Sequence, residues 1–202
     1  MSVATTIPMR FQRAELEQKA DLTPEGLLCL SQAGHPERMV RALIETGNAR
    51  DALYALVMML PHRQSVWWSC LAARTLPDLA KRPDDLAAVD IAERWVQSAA
   101  PADAEQAGAL ATASDSGSAP AWVAMAAFWA GPSLAPRGQQ PVPPAPHLPG
   151  VAVRTALLLL TFEPSLNGRA TLGDWLDIGV ALMNGENGRQ AQAMVRDRLL
   201  SA

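Results

Sequence analysis

The chain has 202 residues, 49% of them hydrophobic and 18% charged, with a net charge of −3. That length allows one buried core, and so light and slightly acidic a charge excludes the basic face that nucleic-acid binding requires. The best candidate for a bilayer span, Ser116 to Pro136, is interrupted by proline and glycine, and the start of the chain lacks a charged segment followed by an apolar one; the reading is a soluble, cytoplasmic protein.

Taken in chain order, residues 1–20 read as an extended N-terminal arm, because Ile7-Pro8 favours extended backbone and the apolar spacing is weak. Thr23-Pro24-Glu25 opens a short helix carrying Leu27, Leu28 and Leu30, with proline where its missing N–H is not needed. Pro36 opens the next, with Met39, Val40, Leu43 and Ile44 on one face and Gly47 as its stop. Asn48 is placed to cap a third, with Asp51 facing the positive end of the helix dipole and Ala52, Leu53, Leu56, Val57 and Leu60 as its stripe. "PHRQSVWWSCLAAR" follows, with Trp67, Cys70 and Leu71 aligned, and "DDLAAVDIAERWVQSAA" aligns Ala88, Ile91, Ala92, Trp95 and Val96.

Residues 102–113 are alanine-rich and helical with a shallow stripe, and "SDSGSAP" is a break. Trp122, Met125, Ala126 and Trp129 then recur at i, i+3, i+4, i+7, which predicts a helical face carrying two large aromatics. "VAVRTALLLLTF" is almost uniformly apolar and predicts a buried central helix. Thr171 with Asp174 predicts a capping box, ahead of Leu172, Trp175, Leu176, Leu182 and Met183, and a short amphipathic helix ends the chain. Strand-like alternation is nearly absent. The pattern therefore predicts an all-α, compact bundle of roughly eight helices packed as antiparallel hairpins, with residues 21–202 as one domain. No fixed period runs through three units, which argues against a solenoid.

Chemistry is sparse. Cys29 and Cys70 read as two buried thiols. His35 and His62 stand at helix starts, and His147 lies inside a proline-rich segment. There is no HExxH, CxxC or paired Cys/His spacing, no GxGxxG or GxxxxGK[ST], and no GxSxG. Asp84 and Asp85 sit where a helix N-terminus favours negative charge, and Glu93, Asp174 and Asp177 are spaced as solvated faces. No nucleophile, base and orienter can be assembled, so no enzyme activity, metal or cofactor is expected.

Two features remain. Trp67 and Trp68 are adjacent, and neighbours on a helix point about 100° apart, so at least one leaves the main stripe. An exposed tryptophan beside Arg63 and Arg74 would be an interface anchor. Residues 132–149 carry a proline every few positions and favour an extended path. As a linker this segment would join a C-terminal part too small to stand alone, and as a PxxP ligand "PVPPAP" would need an SH3-like partner. The preferred reading is a strap across the helical body, with Phe128 and Trp129 against proline rings.

The same residues carry a resemblance. Leu60-Pro61, Arg63 and Trp67-Trp68, then Trp122, Phe128-Trp129, "SLAP" at Ser133 to Pro136 and "VPPAPHL" at Val142 to Leu148 resemble a family of small bacterial proteins catalogued as a domain of unknown function. The likeness runs from about Pro36 to Leu160. Members look associated with type VI secretion gene clusters. The resemblance therefore implies a non-enzymatic adaptor or co-chaperone whose partner is a secretion effector or its chaperone. Alternatives are an immunity protein for a cognate toxin, or a small peptide-binding helical module with a groove lined by Tyr54, Met58 and Met59. The expected partner-binding residues are Arg63, Trp67, Trp68, Arg74, Trp129, Arg137, Pro143, Pro144 and His147.

Overall fold

A computed structural model describes residues 7–114 and 117–201. Among them are eleven α-helices and no strand: α1 (Arg13–Lys19), α2 (Pro24–Gln32), α3 (Pro36–Glu45), α4 (Ala49–Met59), α5 (His62–Ala73), α6 (Pro83–Ser98), α7 (Pro101–Ala113), α8 (Ala119–Trp129), α9 (Leu148–Thr161), α10 (Leu172–Met183) and α11 (Gly188–Leu200). The class is all-α as expected, with more helices than the eight predicted.

One addition lies in the arm expected to be extended through residue 20. Residues 1–6 of it lie outside the described residues, 7–12 have no regular secondary structure, and it is then helical as α1, which buries Leu16 and is tied down from outside: Arg13 donates to the carbonyls of Leu30, Ser31 and Ala33 at the end of α2. Local signals elsewhere act as read. The Thr23 hydroxyl accepts from the Gly26 N–H, Gly47 ends α3 with φ at +78°, and Thr171 and Asp174 form a reciprocal capping box on α10. Asn48 is the exception, since its side chain donates to the Thr46 hydroxyl instead of capping α4. Asp51, expected only to face the α4 dipole, is 1% exposed and binds the backbone N–H and hydroxyl of Thr23, which docks α2 onto α4.

The hairpin expectation holds for α3 with α4, α6 with α7, α7 with α8, α8 with α9 and α10 with α11. It fails between α4 and α5. Pro61 holds Leu60 extended (φ −64°, ψ 145°), and the two helices splay apart. α4 packs on α3, α9 and α10, whereas α5 packs on α6, α8, α9, α10 and α11.

At the centre α8 touches α5, α6, α7 and α9. Its inward side is made of Ala119, Ala121, Val123, Ala124, Ala126 and Ala127, while the predicted core residues Trp122, Met125 and Trp129 are only half-buried. A helix crossing four others needs small residues where axes approach, because packing distance is set by the side chains at the contact. On α7 the same economy appears at Gly108: a Cβ there would stand 2.6 Å from the Phe128 ring, so glycine is what lets that ring lie on the α7 backbone. α9 buries one face, through Ala152, Val153, Ala156, Leu157 and Leu160, and leaves Leu158 and Leu159 half-buried; it is not buried all round as predicted.

The proline-rich segment joins α8 to α9, which are packed neighbours, so it makes no long crossing of the body. It closes on itself. The Leu134 N–H donates to the Val142 carbonyl at 2.8 Å, the Ser133 hydroxyl accepts from Ala135 and Val142, and Gly138 turns the tip at φ +89°. Hydrogen bonds tie it to the body through Arg137, beside the tip, on Glu105 of α7 and through the Pro146 carbonyl on His62. Phe128 does share a groove with Leu134, Ala135 and Pro136, but the Trp129 ring pairs edge-on with Trp122, 6.0 Å away.

Candidate functional site

α5 presents its two tryptophans in opposite directions. Trp68 points inward and is 0% exposed; its indole N–H donates to the Trp175 carbonyl at 2.8 Å, and its ring lies on Gly179 of α10, where any Cβ would meet it at 2.5 Å. The expectation that Trp68 anchors a partner is therefore corrected, since the α10 backbone takes both its face and its polar handle.

Trp67 takes the outward position. It is half-buried and forms the floor of an open groove of about 790 Å³. One wall is the end of α6, at Val96 and Gln97; another is the turn into α11, from Gly185 to Arg189; and Ile7 also lines it. The Arg189 guanidinium lies 5.1 Å over the Trp67 ring. Such a cation over an indole face is worth about 0.5–1 kcal/mol at an exposed site. Arg63 lines the groove with its guanidinium given to the Val96 and Gln97 carbonyls, the second at 2.7 Å. It thus satisfies the last carbonyls of α6, the role a basic side chain plays at a helix C-terminus. The surface is an aromatic shelf between two arginines, with Glu186 on the rim.

The remaining expected residues do not join this groove. Arg74 is locked between Asp90 (2.5 Å) and Glu93 (2.9 Å), and the hydrogen bond to Glu93 leads the causes that hold it still more firmly protonated. Arg137 is exposed but engaged by Glu105, whose carboxyl is held below its usual range by that guanidinium. Pro143, Pro144 and His147 lie along the loop, exposed or half-exposed, and Trp129 sits at the end of α8. The expected set thus falls into one groove (Arg63, Trp67), one loop, one aromatic pair, one core position (Trp68) and one part-exposed ion-paired arginine (Arg74). Tyr54, Met58 and Met59, proposed as a peptide groove, are core residues at 7%, 4% and 0% exposure. Arg189, Ile7 and Gln64 were missed; Gln64 stands one turn before Trp67 on α5, whereas Arg189 and Ile7 reach the groove only through tertiary packing.

Among the described residues no group of three or more His, Cys, Asp or Glu is arranged to hold a metal, and no helix is long and apolar enough to cross a membrane. Cys70 is buried and Cys29 half-buried, so only one of the two thiols expected in the core is there; burial raises both above the ordinary thiol value.

Over residues 39–183, well over half the chain, the sequence matches the model of a family of unknown function, DUF6931, and the chain belongs to that family. The match runs further than the resemblance read from the motifs and takes in α10. The family's description names no function and carries no link to type VI secretion. No curated protein and no solved structure matches the chain.

Proposed function

We propose that this chain is a non-enzymatic, protein-binding adaptor that docks a partner on the Trp67 groove. The observation that carries it is the half-buried Trp67 ring in an open groove of about 790 Å³, flanked by the Arg189 and Arg63 guanidiniums. Tryptophan and arginine dominate interface energetics, and each is already held in place by neighbours, so docking would order few side chains. A secretion effector or its chaperone as the partner rests on the motif resemblance alone.

The test is co-purification of the tagged full chain, comparing wild type with Trp67→Ala and Arg189→Glu, with circular dichroism showing both variants folded. One protein retained at near-stoichiometric level by wild type and lost from both variants supports docking on the groove. Equal retention by all three places the partner elsewhere, and absence of any stoichiometric partner removes the adaptor reading. If the retained protein is neither a secretion effector nor a chaperone, the secretion context falls while the groove stands.

A further inference from the structure

His62 opens α5, and its Nε2 atom faces two groups with opposite demands. The Arg10 guanidinium, which can only donate, is in hydrogen-bond contact with Nε2. The Pro146 carbonyl oxygen, which can only accept, lies 2.9 Å from the same atom. An Nε2 without a proton accepts from Arg10 and faces the carbonyl lone pairs unrewarded. An Nε2–H donates to Pro146 and repels the guanidinium. No protonation state serves both.

We infer that His62 is a proton-operated latch: neutral, with its proton on Nδ1, it holds residues 7–12 against the start of α5, and protonated it turns to the proline-rich loop and releases that segment. The segment has few other ties. The Arg10 N–H donates to the Met59 carbonyl at 2.6 Å, Arg10 stands 3.6 Å from Glu15, and Met9 and Phe11 pack half-buried on the core. The charged groups acting on the ring are Arg10 and Glu15, both from the N-terminal side; the loop contributes the neutral Pro146 carbonyl, and the neighbouring Arg63 guanidinium is turned to the end of α6. Burial and then Arg10 pull the ring's pKa below the ordinary histidine value, with Pro146 and Glu15 opposing. The latch is therefore closed at neutral pH and opens in mildly acidic solution. Ile7, three residues before Arg10, lines the Trp67 groove, so release withdraws one of its lining side chains. This last consequence rests on the docking reading of the groove, whereas the latch is read without any partner.

Amide hydrogen exchange of the full chain tests it, expressed as protection factors so that intrinsic pH dependence cancels, with α9 amides as the internal control. From pH 8 to pH 5 the Arg10 amide loses protection in wild type, because protonation of His62 favours the released segment, while α9 is unchanged. In His62→Gln the side chain accepts from Arg10 and donates to Pro146 through different atoms and does not titrate, so protection is equal at both pH values. Unchanged protection in wild type, or the same fall in His62→Gln, overturns the latch. Should His62→Gln not fold, the ring is titrated by NMR in wild type and in Arg10→Gln: the midpoint rises in the variant, and an unmoved midpoint overturns the proposal. Loss of partner capture leaves these readouts intact, so the latch and the adaptor reading fail separately.

Discussion

Truncating each of the two adjacent tryptophans should have opposite consequences. Trp68 has no exposed surface, its ring lies on the Gly179 backbone, and its indole N–H is spent on the Trp175 carbonyl. Trp68→Ala removes the buried ring at about 3–5 kcal/mol and a buried hydrogen bond at about 1 kcal/mol. Against a typical total stability of about 5–15 kcal/mol, that is about a quarter or more of what holds the chain folded. Trp67→Ala loses a half-buried ring and its Arg189 contact, about 1–2 kcal/mol. Urea unfolding followed by circular dichroism separates them. With a slope of about 2 kcal/mol/M, Trp68→Ala lowers the midpoint by about 2–3 M and Trp67→Ala by under about 1 M. Equal losses would refute the assignment of Trp68 to the core and Trp67 to the groove, and a Trp68→Ala midpoint within about 0.5 M of wild type would refute the α5–α10 packing.

Gly179→Ala places a methyl against the Trp68 ring and should cost about 1–3 kcal/mol; thermal melting at wild-type temperature would show that α5 and α10 do not approach as described. Asp174 gives a pH signature. Burial pushes its carboxyl up, but hydrogen bonds from the Thr171 hydroxyl and Arg198 outweigh this and hold it below its usual value. A carboxyl depressed in the folded state contributes stability above its unfolded value of about 3.9 and loses it as pH falls through the folded one. The stability gap between wild type and Asp174→Asn should therefore be full at pH 7 and close below about pH 4; a gap independent of pH counts against the Arg198 and Thr171 contacts. A thiol reagent should label Cys29 slowly in the native chain and reach Cys70 only on unfolding, since Cys70 is fully buried; rapid labelling of both would contradict the α5 packing.

What could be read in the sequence was what is decided within a turn of helix. Thr23, Pro36, Gly47 and the Thr171/Asp174 pair announce helix ends because the groups they satisfy lie within three or four residues. Periodicity located α5 but not its orientation. It aligned Trp67 with Cys70 and Leu71, and the direction of each indole was decided by Gly179, more than a hundred residues away. In α8 the large residues were read as the core stripe. The helix instead faces four neighbours with alanine, because close approach of axes outweighs the area a tryptophan would bury there. α1 has no legible stripe, with Leu16 as its one buried residue; the Arg13 contacts to the carbonyls closing α2 hold it. The groove was half-legible in the same sense. Arg63 and Trp67 stand four residues apart on one helix, whereas Arg189 and Ile7 arrive from the two ends of the chain.

That division follows the family boundary. Arg63, Gln64, Trp67, Val96, Gln97 and Leu182 lie inside residues 39–183, while Ile7 and the run from Gly185 to Arg189 lie outside them. The matched span therefore builds the floor and one wall, and the flanking segments add Ile7 and the opposite wall. On the docking reading the two parts do different work. The Trp67 ring offers apolar area to whatever arrives, and Arg63 has its donors committed to α6. The Arg189 guanidinium, over the ring with its charge unpaired among the described residues, biases the groove toward a partner that brings a carboxylate. Ile7 lines the groove, and on the latch reading its position depends on Arg10 and hence on the state of His62. Affinity should then track Trp67, salt sensitivity Arg189, and pH dependence His62. Single substitutions at these three positions should separate those three dependences in one binding assay.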